Sequence, residues 1–423
     1  MPGPKNNKCP ADGHLKVVKE ALNLYFSFWL SKLPLTSTLA LAPTLNMALS
    51  RRTSTRVVNH SRKNSSSTHS GSDLERRTSF GSSDYRSTTL EPNNIIVEDQ
   101  QMDDERWSRL AFSLGIPFGV SYRRSAAASR FAQQVRNRSD VSGKDMKELL
   151  LPLLVSIAKD HKAMKCRTDT AFYRDGVPDE VPDFEVEDGW KMHLPTPRPT
   201  ITMGYSKGSF TPRELELQQG IIVNSKNEPC DLHKLSQPLP DVFWPFLVVE
   251  IQEDSMLAAR NACAGAAATC NNALMIFAAA AEEPHKVYSD MNFLWNMSKA
   301  AQSFSLAING KTACLNTHNS EGCLPHAVAV IRTYQLDNES EVEALAARLG
   351  SILVWAENCR LRSVYDLLAN FDRRVQLAQM AANMSEDRYT PSELATFGIV
   401  PKSRMTVIKE VFVESLPRWA RPY

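Results

Sequence analysis

The sequence predicts an α/β fold of the α+β kind, a mixed central sheet flanked by helices, behind a Ser/Arg-rich N-terminal tail. Three observations predict it. The run FWPFLVVEIQ, Phe243 to Gln252, is almost unbroken in apolar side chains, as a central strand buried on both faces requires. An Ala-rich stretch from Ser255 to Glu283 follows at once, and its small residues Ala258, Ala262, Ala266 and Ala267 let a helix axis lie close against a sheet. In SFSLAINGKTACLNTH, Asn309-Gly310 separates two strand-like runs and predicts a hairpin with a two-residue turn.

The chain has 423 residues and a formal net charge of +2, so its overall charge makes no case for nucleic acid. Its eight cysteines include no C-x-x-C pair and no finger-like spacing with histidine. That points to reduced thiols in an intracellular protein, and away from a disulfide framework or a zinc site.

Taken in order, residues 1–100 read as a disordered tail and 101–423 as a single domain. The tail holds one ambiguous apolar segment, Ala21 to Leu49, which Lys32, Pro34 and Pro43 interrupt too often for a spanning helix. Met47 is a second plausible start, and the Arg- and Ser-rich stretch after it has the composition of a mitochondrial transit peptide but little apolar face. The expected location is intracellular, nuclear or cytoplasmic, with mitochondria as the minor alternative. The tetrapeptide RRTS occurs at Arg51–Ser54 and Arg76–Ser79, where paired arginines suit a basophilic kinase acting on Ser54 and Ser79. Chance in a Ser/Arg-rich composition explains the repeat equally well.

Order is expected from near Asp103. DDERWSRLAFSLGI has Trp107, Leu110, Ala111 and Leu114 at helical spacing behind acidic residues. A second helix covers Ala126 to Arg138, and a third carries the stripe Leu149, Leu150, Leu153, Leu154 and Ile157. Residues 175–200 read as a loop. TITMGYS (Thr200 to Ser206) is a short strand, and TPRELELQQG a brief helix with Pro212 at its first position and Gly220 as its stop. After the central strand, the Ala-rich helix and the hairpin, PHAVAVIRTYQL adds a strand, and two helical stretches divided at Phe371-Asp372 finish the domain. Insertion of the Ala-rich helix into a membrane is costly, because Arg260, Asn261, Asn271 and Asn272 lie within it. No membrane partner is expected.

Side chains alternate along a strand, so Val248, Glu250 and Gln252 share one face of the central run. The carboxyl end of such a strand can open on a cleft while the rest stays buried. A Glu-x-Lys pair there, with an Asp from the neighbouring strand, is a compact device for metal-dependent phosphodiester hydrolysis. Two carboxylates hold Mg²⁺, and the lysine orients water and offsets developing negative charge.

The stretch from about Lys144 to Ala382 resembles the fungal PD-(D/E)XK nuclease-like domain family of the restriction-endonuclease-like superfamily. PRPTITMGYS, FWPFLVVEIQ, the ARNACAGAAA helix, the Asn-Gly hairpin and the helical C-terminal part carry the resemblance. It implies a restriction-endonuclease-like mixed sheet, Mg²⁺ as cofactor if the site is active, and DNA as the partner. Carried over by position, the second-strand acid falls at Thr200, the acid of the E-x-K element at Glu250 and its lysine at Gln252. Only Glu250 retains the required chemistry, as a surviving metal ligand; Thr200 and Gln252 offer no charge. The resemblance therefore implies a nuclease-like domain with a degenerate site, or a nucleic-acid- or protein-binding module that kept the fold. Glu148, Asp183, Glu185 and Asp241 are candidates for a displaced second acid. Glu250 as a carboxylate satisfied by a helix N-terminus or an arginine is the structural alternative.

A second catalytic pattern competes. Gly204-Tyr205-Ser206-Lys207-Gly208 matches the G-x-S-x-G nucleophile elbow, with Asp254 or Asp290 and His318 or His326 in the right order for a serine hydrolase. Against it, nothing upstream supplies the earlier strands such a sheet needs. Arg123, Arg124, Arg130, Arg136 and Arg138 could form a basic surface for nucleic acid, or simply a solvated face.

Overall fold

The computed structural model describes residues 79–117, 126–138, 140–180, 191–224, 228–253, 255–282, 297, 299–319 and 326–384. Among them are strands β1 (Ile95–Gln101), β2 (Met164–Thr168), β3 (Ile201–Tyr205), β4 (Ile221–Val223), β5 (Pro229–Asp231), β6 (Phe243–Ile251), β7 (Ser303–Asn309), β8 (Thr312–Asn319) and β9 (His326–Gln335). Seven form one mixed sheet in the order β1-β9-β8-β7-β6-β3-β2, and β4 and β5 pair apart. β2, β3 and β6 are antiparallel neighbours, β6 and β7 are parallel, β7, β8 and β9 are antiparallel again, and β1 lies parallel to β9 at the far edge. The expected mixed sheet flanked by helices is what forms.

The helices are α1 (Asp104–Leu114), α2 (Ala126–Arg136), α3 (Gly143–Ala158), α4 (Pro212–Leu217), α5 (Leu232–Ser236), α6 (Met256–Ala281), α7 (Glu339–Trp355) and α8 (Leu361–Met384). Local chemistry sets their ends. Asp103, Ser142, Thr211 and Ser255 cap α1, α3, α4 and α6 through side-chain oxygens, and Thr211 and Glu214 form a reciprocal capping box. The two C-terminal stretches do not part at Asp372. They are joined earlier by one π-turn, Ala356–Arg360, and α8 runs on through Asp372, which takes an ion pair from Arg213.

Strand alternation sorts the core into two layers. Leu247, Val249 and Ile251 of β6 join Leu306 and Ile308 of β7 in the core shared with α2, α3 and α7. On the opposite face Val248 packs with Ala266, Ala267 and Cys270 of α6, and Ala307, Cys314 and Val330 pack with Ala259 and Cys263. By length and composition α6 could cross a membrane, but most of it is buried inside this fold. The six cysteines among the described residues are free thiols.

Two local features of β6 matter below. Its partner Gly204 lies so close that an added Cβ would sit 2.5 Å from the Phe243 carbonyl oxygen, so only glycine fits. Trp244 takes a φ of 44°, and the freed carbonyls of Trp244 and Pro245 accept hydrogen bonds of 2.9 and 3.3 Å from the buried guanidinium of Arg360. The π-turn is what aims Arg360 at this bulge.

Three expectations are corrected. The hairpin register pairs Asn309 with Thr312, so the two-residue turn is Gly310-Lys311, with Gly310 at φ 52°. Glycine at the first central position suits a II′ turn, and the asparagine before it closes the ladder instead. The tail boundary at residue 100 also moves: residues 79–101 are structured, and their few apolar side chains are spaced to reach one groove. Tyr85, Leu90 and Ile95 pack with Ala264 and Ala268 of α6, and β1 completes the sheet. Polar contacts hold the remainder, with Asn93 donating to the Thr89 and Met192 carbonyls and Arg86 donating to Asn261. Finally β2, unforeseen, forms the other edge. Residues 1–78, with the apolar segment, Met47 and the RRTS copy ending at Ser54, lie outside the described residues, while Ser79 is exposed at their start.

Candidate functional site

Antiparallel pairing of β3 with β6 sets Ile201 opposite Val249, so Thr200, just ahead of β3, arrives beside the end of β6. The Thr200 hydroxyl donates to Glu250 Oε2 at 3.3 Å and accepts from the Ile251 amide at 3.3 Å. Two of the three sequence-predicted positions are thereby brought together. Glu250 is only 6% exposed and meets no cation among the described residues. Burial pushes its carboxyl up to about 7; hydrogen bonds from Thr200 partly oppose this, and the negative charge of Asp169 adds to it.

Gln252, the third position, is half-buried just past the strand. Its amide nitrogen donates to the Ile308 carbonyl at 2.9 Å, and its own carbonyl accepts from Asn309 Nδ2 at 3.1 Å. Its side chain hydrogen-bonds neither Glu250 nor Thr200. Next along, Glu253 Oε1 accepts from the Gly143 amide at 2.5 Å, tying the first turn of α3 to this strand end.

A residue missed in the sequence completes the neighbourhood. Asp169 directly follows β2, and the pairing of Thr168 with Ile201 carries it next to Thr200. Its amide donates to the Thr200 carbonyl at 3.1 Å, its own carbonyl accepts from Arg198 Nε at 3.0 Å, and its φ is 50°. Asp tolerates this left-handed region better than most residues, and bonds on both sides hold it there. The carboxylate bonds Lys147 Nζ of α3 at 2.6 Å. The available signal was the strand pair itself, since CRTDT carries no motif.

The other candidate acids do not reach Glu250. Glu148 is exposed on α3. Asp241 is exposed at the opposite end of β6, where it pairs with Arg167. Asp183 and Glu185 lie outside the described residues. Among the described residues no group of three or more His, Cys, Asp or Glu is gathered for a metal.

The elbow pattern is not assembled among the described residues. Ser206 Oγ bonds Ser209 Oγ at 3.2 Å at the start of a short 3-10 turn, and Gly204 is explained by its close approach to β6. His318 lies on β8, three strands from β3, and its Nε2 meets Ser305 Oγ at 2.7 Å. Burial drives its pKa down to about 3, and that of His326 on β9 down to about 4. Asp254 and Asp290 lie outside the described residues. Of the basic candidates, Arg130 bonds the Ala126 carbonyl, Arg136 the Asp337 carbonyl and Arg138 the Asp145 carboxylate. Arg123 and Arg124 lie outside the described residues.

Beside the Glu250 end of the sheet a cavity of about 280 Å³ is lined by Asp99, Met256, Arg260, Asn309 and Cys314 among others. Arg260 is paired there with Asp99, which also holds Arg86. Residues 129–364, which include Lys147, Asp169, Thr200, Glu250 and Gln252, match the family model of a domain of unknown function (DUF7924). A search of the curated proteins returns no match.

Proposed function

The chain belongs to the DUF7924 family, a domain of unknown function, and from that premise we propose a PD-(D/E)XK nuclease-like domain with a degenerate site that engages DNA. The observation that carries this reading is the contact of Thr200 with Glu250. These are the two positions at which the resemblance seats its acids, and they meet on adjacent strands at one end of the sheet. The surrounding order supports it: helix α3, the antiparallel run β2-β3-β6, the covering helix α6 and the parallel strand β7.

The residues at the three consensus positions do not fit Mg²⁺. Thr200 brings a hydroxyl and Gln252 an amide, and the one carboxylate is buried with a strong tendency to hold its proton. Mg²⁺ is bound through carboxylates and waters, so replacing one of two acids by a neutral group removes much of the attraction. The consensus positions therefore bind and position, and do not by themselves hydrolyse.

The test incubates purified full-length chain with plasmid and single-stranded DNA, with and without Mg²⁺ or Mn²⁺, beside Glu250→Ala. DNA retention in a gel-shift assay with no cleavage is the expected result. Cleavage lost in Glu250→Ala would show a competent site and overturn its description as degenerate, while cleavage unchanged in that variant would place the chemistry elsewhere. Absence of both binding and cleavage overturns the DNA reading, leaving a protein-binding module.

A further inference from the structure

We propose that the cavity between the first turns of α6 and the ends of β1, β8 and β9 binds a small phosphate-bearing ligand, with the Arg260 guanidinium as its anchor. The site stands apart from the nuclease-like reading and uses none of the residues at its consensus positions. Cys314 and Val330 are the buried part of the lining, with Met256 packed against them. Gln101, Thr312 and Thr333 bring amide and hydroxyl groups to the rim. Gln101 Oε1 accepts from the Thr333 amide at 3.3 Å, which leaves its Nε2 as a donor among the described residues.

Charge sets the ligand class, because two guanidiniums here share one carboxylate. Asp99 accepts from Arg86 Nη1 and Nη2 at 2.8 and 3.0 Å in a bidentate pair, and takes Arg260 Nη1 as well. The hydrogen bond from Arg86 holds the Asp99 carboxyl below its ordinary range, so the acid is ionised and the trio keeps one positive charge in excess. Glu98 does not balance it: its carboxylate is taken by Arg106, and it lends Arg260 only its backbone carbonyl, at 2.6 Å. Arg260 is a costly place for that excess. Its side chain is 10% exposed, against 67% for Asp99, and its Nε has no hydrogen-bond partner among the described residues. Desolvating a charge is expensive unless it is fully paired, and an unmet donor adds to the cost. An oxyanion supplies what is missing. A volume of about 280 Å³ lies at the small end of ligand pockets, with room for a phosphate on a small organic group. Three acceptor oxygens suit donors arriving from α6, β1, β8 and β9 better than a planar carboxylate does.

Inorganic phosphate titrated into the full chain in a calorimeter, at constant ionic strength with chloride as the control, decides it. One saturable site per chain is expected, with affinity about tenfold weaker in Arg260→Gln, which removes a charge-assisted donor. In Gln101→Met, which leaves the ion pairs intact, it should be several-fold weaker. In Asp99→Asn it should be several-fold tighter, because the resident carboxylate no longer competes; a merely structural Asp99 would move it the other way. Circular dichroism confirms folding, and if Arg260→Gln does not fold the other two variants decide. No saturable binding to the wild-type chain at tens of millimolar phosphate, unchanged affinity in Gln101→Met, or weaker affinity in Asp99→Asn would each overturn the proposal. Displacement by glycerol phosphate is expected, with a phosphate-ended oligonucleotide no better a competitor than its hydroxyl-ended counterpart. A preference for the phosphate-ended oligonucleotide would overturn the small ligand and give the site to a nucleic-acid end.

Discussion

Glu250→Gln removes an ionisable group while keeping its shape and an acceptor for the Thr200 hydroxyl. The folded carboxyl titrates at about 7 against an ordinary 4.5, because burial disfavours its charge; the groups facing it are the Thr200 hydroxyl, the Asp169 carboxylate and the Cys263 thiol. The folded pKa is raised, so the protonated group is tolerated fully below pH 4.5 and that advantage is lost as pH rises through 7. Linkage converts the shift into about 1 kcal/mol of cost at pH 5 and about 3 kcal/mol at pH 8. Glutamine cannot ionise and escapes this cost. Urea denaturation of both proteins without divalent cations should therefore find the variant more stable, with an advantage that grows by about 2 kcal/mol from pH 5 to pH 8. A pH-independent difference, or a variant less stable at pH 8, would refute the reasoning, since either means that Glu250 is charged and compensated in the fold.

Three other outcomes follow from the packing. His318 and His326 are held neutral, with folded pKa values lowered to about 3 and about 4, so the stability they allow above pH 6.5 is lost as pH falls. The loss is about 2 kcal/mol per histidine by pH 5, and His318→Gln should flatten the melting temperature's dependence on pH between 7 and 5. Arg360→Met strands the Trp244 and Pro245 carbonyls and should cost about 3 kcal/mol in denaturant unfolding, with Arg360→Lys recovering only part, since an ammonium lacks the planar fork that spans both. Gly204→Ala sets a methyl against the Phe243 carbonyl and should lower stability by about 3 kcal/mol or more, read by the same assay.

The elements most visible in the sequence are those whose burial is complete. β6 is buried along its whole length and reads as an unbroken apolar run, and α6 announces itself by small residues that suit close packing. β1 and β2 escaped because they are edges. IIVEDQQ and MKCRT alternate or mix polar residues in step with one solvent-facing side, and such strings resemble loops until their partners are known. The site followed the same division. Thr200 and Glu250 were found through motif positions on buried strands, whereas Asp169 and Lys147 meet only after β2 pairs with β3 and α3 packs behind them. The hairpin turn shows a finer limit: Asn-Gly marks the bend, but the cross-strand register decides which two residues form it.

The parallel ladder in which Ile95 faces His326 joins the first described strand to the last. On the ribosome β1 emerges long before β9, so it must wait for nearly the whole domain before it has a place to pair. Until then β9 shows a bare hydrogen-bonding edge, and the groove on α6 that receives Tyr85 and Leu90 stands open. A chain begun downstream of Gln101 would never close that edge. It would keep the Glu250 end of the sheet but leave β9, with its apolar AVAVI run, as the edge in place of β1 with its Glu98 and Asp99, so the early segment exchanges an apolar edge for a charged one.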